Sequence, residues 1–325
     1  GGGIHVVQSN HASFESIVIK NNQATKGGGI FSQGTDLDFK NGIIRNNSLS
    51  GQDDGGGIYL HEQGVARFIN CTIANNEIYD GRNGPGFSMN YYIGSDSVLF
   101  LNTIFARNTR TDGDMSGQMY LAAYPRMAII NTYTSSHDAK GNGIREQDNI
   151  FTNADPFTDS ENNDLSLPAY SAAIGSGVSS VQFNGQTVNV PTTDFYGNVR
   201  PAPDGSSPDI GAIESSRSKK LTRLYVSKEG FDTNNGTEVS PFLTISKGTS
   251  AASGGDTVLV GPGTYSENIE LVDADLHLAS YYLTTGDTSF ISSTIIDGMN
   301  EDSPIYIRAS DQNNRISNIK LTGLS

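Results

Sequence analysis

The sequence predicts an all-β protein, a parallel β-helix whose short strands stack coil upon coil. Three observations predict it. The string GGGI occurs at Gly1–Ile4, Gly27–Ile30 and Gly55–Ile58, at spacings of 26 and 28 residues. A second signature runs in step with it: FESIVIKNN from Phe14, FKNGIIRNN from Phe39, FINCTIANN from Phe68 and FLNTIFARN from Phe100. No helical periodicity intervenes, and two or three short strands every 20–30 residues describe one coil of a solenoid.

Each position has a reason. In FINCTIANN, Phe68, Cys71 or Ile73 is expected to face a core while Asn70 and Thr72 alternate outward, the period of two being that of a strand. Asn tolerates left-handed backbone angles and can hydrogen-bond to the Asn of the next coil. The pairs Asn21–Asn22, Asn46–Asn47 and Asn75–Asn76 therefore read as a corner ladder. The glycine runs supply a sharp bend that a side chain would obstruct. Stacking puts Phe on Phe and Ile on Ile, and each coil pairs the strand edges of the one before.

Composition excludes several classes. The 325 residues include one Cys, no Trp, 37 Gly and 29 Asn, with a net charge of −14. One cysteine cannot make a disulfide framework or a Cys-based zinc site. The acidic balance argues against a nucleic-acid partner, which needs clustered Lys and Arg. No apolar run approaches the length of a membrane span. The chain opens at Gly1 without a signal segment and reads as a processed or internal piece of something longer.

The GGGI and FxNxTIxNN alternation resembles the right-handed β-helix repeats of pectate-lyase-like proteins and the repeats of polymorphic outer-membrane adhesins. Leu224–Ile269, LYVSKEGFDTNNGTEVSPFLTISKGTSAASGGDTVLVGPGTYSENI, resembles the N-terminal cap and first coils of secreted bacterial β-helix proteins. Asp148–Glu214, with DNIFTNADPF and DFYGNVRPAPDGSSPDIGAIE, looks like their terminal coil and tail. These resemblances cover most of the chain. They imply a fold and leave activity open, because the fold hosts many functions.

In that family the YVS segment comes first and DIGAIE last; here the order is reversed. The chain divides into 1–214, the body and terminal coils of one module; 215–223, a short linker; and 224–325, the cap and first coils of the next. Joining Ser325 to Gly1 gives NIKLTGLS-GGGIHVV, close to an ordinary continuation. Three arrangements account for this: a window from an array of modules, a subunit that completes its neighbour's solenoid, or a circular permutant. The first two place copies or modules head to tail.

Candidate chemistry is sparse. Asp232, Asn234 and Glu238 around Gly236 resemble a fragment of a calcium loop, without its twelve-residue pattern or closing bidentate Glu. The alternative is a cap turn built by Asn and Gly. Asp53 and Asp54, with Lys26 and Arg45 as candidate cations, are weighed as lyase carboxylates, but they are adjacent and would point oppositely in a strand, no motif positions a base, and solvated loop acids are the favoured reading. Asp159, Glu161 and Asp164 read as a polar turn. His5 and His61 both follow GGGI and could stack on one face, though histidines lying singly on a strand surface are the commoner outcome. Cys71 reads as a buried, inert thiol. Tyr91 and Tyr92 are the candidates for stacking on a sugar ring or on a partner.

The expectation is a secreted structural or adhesive protein on a bacterial surface, with other copies of itself as head-to-tail partners. It needs no cofactor, with Ca²⁺ as an optional ligand and surface or matrix polysaccharide as a further partner. The alternatives are a calcium-dependent polysaccharide lyase and a glycan-binding module without turnover.

Overall fold

A period-two strand buries every second side chain only if the next coil repeats its pattern, and the chain does so twice. The computed structural model describes residues 1–51, 54–62, 64–79, 83–90, 97–111, 117–121, 126–135, 137–139, 144–152, 154–272, 274–299, 303–309 and 318–325. These form two units, Gly1–Leu167 with Ala173–Lys219, and Pro168–Ala172 with Lys220–Ser325. Both are parallel β-helices. Among the described residues no helix is long and apolar enough to cross a membrane.

The first coil of unit 1 consists of Ile4–Val7, His11–Glu15, Val18–Lys20 and Gln23–Ala24, one strand on each of four faces. Each strand pairs in parallel with its counterpart in the next coil, giving three six-stranded faces and a four-stranded one. On the first face Ile4 is in register with Ile30 and Ile30 with Ile58. On the second, Phe14, Phe39, Phe68 and Phe100 stand one above another. On the third, Ile19, Ile44, Ile73 and Phe105 do the same. Like thus stacks on like, and these columns form the core of the unit.

The coil corners need left-handed backbone. Asn21, Asn46 and Asn75 adopt φ of 58°, 53° and 55°, and Arg107 holds the same place in the fourth coil at 55°. The second Asn of each pair makes the ladder. Asn22, Asn47 and Asn76 each donate backbone N–H and Nδ2 to the Oδ1 of the next, and Asn76 does so to Asn108. Gln118 follows Asn108 in the column, its Oε1 accepting from both nitrogens of Asn108.

The glycine runs do more than bend. Gly27 and Gly55 have φ of 55° and 80°. A Cβ on Gly28 would lie 2.3 Å from the Gly56 carbonyl oxygen, and one on Gly29 would lie 2.7 Å from that of Gly57. Coil stacking therefore excludes a side chain at either place.

Past the last coil, the chain of unit 1 returns along the solenoid. An antiparallel hairpin, Ser180–Phe183 with Gln186–Asn189, lays Val181 and Phe183 over Ile69, Leu99, Leu101, Ala128 and Ile130. Those residues point outward on the second face, so the tail buries an apolar outer surface. Asn70 and Thr72, expected outside, do alternate away from Phe68, Cys71 and Ile73. They are nevertheless buried.

Unit 2 begins with Arg223–Val226 and a seven-residue helix, Ile245–Ala251. The helix contacts Arg223–Val226, Asp256–Val260 and Ile269–Val272 and buries Ile245 and Ala251 among Val226, Val258 and Phe242. The first full coil is Asp256–Val260, Gly263–Ser266 and Ile269–Val272; the second is Leu276–Ser280, Thr294–Asp297 and Ile305–Arg308. Ile319–Thr322 follows as the last strand of a four-stranded parallel face.

Candidate functional site

Two of the three calcium-like residues, Asp232 and Asn234, bond to their own loop. Asp232 Oδ1 accepts from the N–H of Leu243 at 3.0 Å and of Thr244 at 2.9 Å, and its Oδ2 from Thr244 Oγ1 at 2.9 Å. Thr244 in turn caps the helix by accepting from Lys247 N–H. Asn234 Nδ2 donates to the Pro241 carbonyl at 2.7 Å. Glu238 is exposed and adds to the negative field that, after burial, raises the Tyr281 phenol. Among the described residues no group of three His, Cys, Asp or Glu side chains is arranged to hold a metal.

Tyr91, Tyr92 and Asp53 lie outside the described residues. Asp54 accepts from Asn83 N–H at 3.0 Å, and Arg45 donates to Asn163. Asp159 accepts from Asn162 N–H and Nδ2 within the polar turn, and Glu161 pairs with Arg107. Cys71 is fully buried, and that burial pushes its thiol up to about 12. His5 and His61 lie on strands of the same face, and their rings are not stacked on each other. His5 lies over Phe31 with ring centroids 4.9 Å apart, and Phe31 lies 5.7 Å from Tyr59. His61 is one outward position further along, in register with Gln33.

The tail of unit 1 carries a buried charge cluster that sequence reasoning missed. The Arg200–Glu214 pair is 2.9 Å apart with both side chains at 0% exposure. Arg200 also donates to Asn41 Oδ1 at 2.7 Å and to the Gly211 carbonyl at 3.1 Å. Glu214 accepts in addition from the N–H groups of Ala202 and Asp209. A buried pair is tolerable only when its remaining donors and acceptors are satisfied in this way. Asp209 accepts from the N–H of Gly175 and of Ser215; burial, then the Glu214 charge, push its carboxyl up to about 7. Along the same corner Asn41, Asn70, Asn102 and Asn131 donate to tail carbonyls at Thr193, Asp209, Val178 and Ser176. The signal was present in the recurring Asn of FKN, FIN and FLN, whose partners lie over seventy residues away in the sequence. The cluster's polar atoms are spent on locking the tail to the coils.

Among the described strands, Ile305–Arg308 and Ile319–Thr322 come last in their sheets of unit 2. Beside the unit 2 edge lies a cleft of ≈ 280 Å³ lined by Ile296, Pro304, Ile305, Leu321 and Leu324 among others.

A family model described as "Protein of unknown function (DUF1565)" matches residues 228–271. The match spans the helix Ile245–Ala251 and the strands that follow it, up to Leu271. No curated protein and no solved structure matches the chain.

Proposed function

We propose that this protein is a secreted structural element of a bacterial surface, a fibre or stalk built from β-helical modules set end to end. The observation that supports the reading is that one chain carries two separately cored β-helices. The second begins under its own helix, while the first ends in a tail locked to its coils. A body of like-on-like columns resists bending and needs no moving part, which suits a load-bearing or spacing role. The resemblance to secreted bacterial β-helix proteins, adhesins among them, favours the same setting. An acidic surface keeps such rods from clumping sideways. Negative-stain electron microscopy and light scattering on unfixed protein test it. Rods of indefinite length are expected; a uniform population at the mass of one chain would overturn it.

A further inference from the structure

We propose that Asn235 is a site of self-modification, where the side-chain carboxamide closes on the backbone nitrogen of Gly236 and water opens the resulting succinimide to aspartate or isoaspartate. Such a closure asks three things of an Asn–Gly pair: a side chain folded over the following peptide unit, a peptide unit that can turn, and a departing nitrogen that nothing holds. Asn235 meets all three.

Its Oδ1 accepts from Thr237 Oγ1 at 2.8 Å and from Thr237 N–H at 3.3 Å. A carboxamide that reaches the N–H two residues on lies across the intervening peptide, which brings its carbon beside the Gly236 nitrogen. The same two donors stabilise the negative charge that Oδ1 takes up as the nitrogen attacks. The peptide unit between the two residues carries the Asn235 carbonyl and the Gly236 N–H, and among the described residues neither has a hydrogen-bond partner. Nor does Asn235 Nδ2 donate to any described residue. The residue is exposed, so water and base reach it.

Water is the only co-reactant. The Gly236 N–H gives its proton to solvent base, and the nitrogen bonds to Asn235 Cγ. The Cγ–Nδ2 bond breaks, and Nδ2 takes up a proton and leaves as ammonia. Water then opens the ring at either carbonyl. Attack at Cγ leaves an aspartate in the ordinary backbone; attack at the main-chain carbonyl leaves an isoaspartate, whose extra methylene lies in the main chain.

The other Asn–Gly pairs lack the combination. Asn41 is buried, its Oδ1 taken by Arg200 and its Nδ2 by the Thr193 carbonyl. The Asn83 carbonyl accepts from Gly55 N–H and its own N–H donates to Asp54, so turning its peptide breaks a hydrogen bond. Asn184 is exposed, but it holds φ of 51° in the two-residue turn between Phe183 and Gln186, which ring closure would unwind. Asn142 lies outside the described residues.

The product falls on the cap of unit 2. Asn234 is fixed on one side through the Pro241 carbonyl, and the Gly236 carbonyl on the other accepts from Tyr225 N–H at 2.9 Å. Gly236 packs so closely that a Cβ there would lie 2.5 Å from the Phe242 ring. A methylene inserted between these two fixed points loosens the loop that covers Phe242.

The test incubates the full folded chain in mildly alkaline buffer and digests samples with trypsin at intervals. Mass spectrometry follows the peptide Glu229–Lys247, and labelling by an isoaspartate methyltransferase identifies the product. Loss of the Asn235 amide ahead of Asn41, Asn83 and Asn184 is expected. It should slow in Thr237→Val, which removes the hydroxyl and keeps the shape. Loss first at Asn184, or loss at Asn235 only in the urea-unfolded chain, would overturn the assignment. An unchanged rate in Thr237→Val would overturn the part given to Thr237. The outcome is independent of whether modules join end to end.

Discussion

The carboxamide oxygen of Asn76 accepts both the backbone N–H and the Nδ2 of Asn47, each at 3.0 Å. Asn76 Nδ2 donates onward to Asn108 Oδ1 at 2.8 Å and sideways to the Ile44 carbonyl at 3.0 Å. Both of these links are buried, and Asn47, Asn76 and Asn108 each give and receive along the solenoid axis. Asn76→Ala strands buried donors on one side and acceptors on the other, and should cost about 2–3 kcal/mol. Asn76→Asp keeps the acceptor but turns two donor contacts into oxygen-on-oxygen repulsion, so it should cost more than Ala at neutral pH. Urea unfolding of both variants checks the order; an Asp variant as stable as wild type would contradict the ladder.

Phe68 lies between Phe39, at 6.1 Å between ring centroids, and Phe100, at 5.2 Å. Truncating it opens a cavity in the middle of a column that neighbouring coils cannot collapse to fill. Phe68→Ala should lose about 3–5 kcal/mol, while Val239→Ala, at an exposed site, should stay within about 0.5 kcal/mol. Denaturant midpoints of the two variants give the comparison.

Arg200 joins the tail to the second coil through Asn41 and closes over Glu214. Arg200→Met leaves a buried carboxylate without its cation and should destabilise unit 1 by about 3–5 kcal/mol. Adding Glu214→Gln should return part of that loss. A double-mutant cycle measures the coupling, and strictly additive losses would refute the pairing.

Asp209 gives the fold a pH dependence of definite sign. In the folded protein its carboxyl is raised to about 7 from the ordinary 3.8, first by burial and then by Glu214. The stabilising contribution is therefore fully present below the unfolded value near 4. It falls as the pH rises and is lost above about 7. The urea midpoint of unit 1 should drop between pH 5 and pH 8, and Asp209→Asn should flatten that drop. An equal slope in the variant would rule Asp209 out as its source.

The body of the solenoid was legible in the sequence because its causes are local and repeated. GGGI marks coils whose backbones approach too closely for a Cβ, and the NN pairs mark a corner residue followed by a ladder residue. The tail was not legible at the level of contacts. Arg200 meets Asn41 across 159 residues, and no repeat or spacing encodes that pairing. Nor does the second face of unit 1 reveal its covering: Leu99, Leu101 and Ile130 break the polar-out alternation, and only the hairpin at Val181 and Phe183 explains why. Asp232 and Asn234 illustrate a different limit, since polar side chains in a glycine-rich loop look alike in sequence whatever they bind; here Asp232 accepts from the N–H of Leu243 and Asn234 donates its Nδ2 to the Pro241 carbonyl.

The central proposal is that β-helical modules of this protein assemble end to end, and cryo-electron microscopy of the native protein tests it most directly. The account predicts rods of indefinite length along which the coil spacing of about 4.7–4.9 Å recurs. Separate particles of one chain each, or assembly through side-by-side contacts, would contradict it.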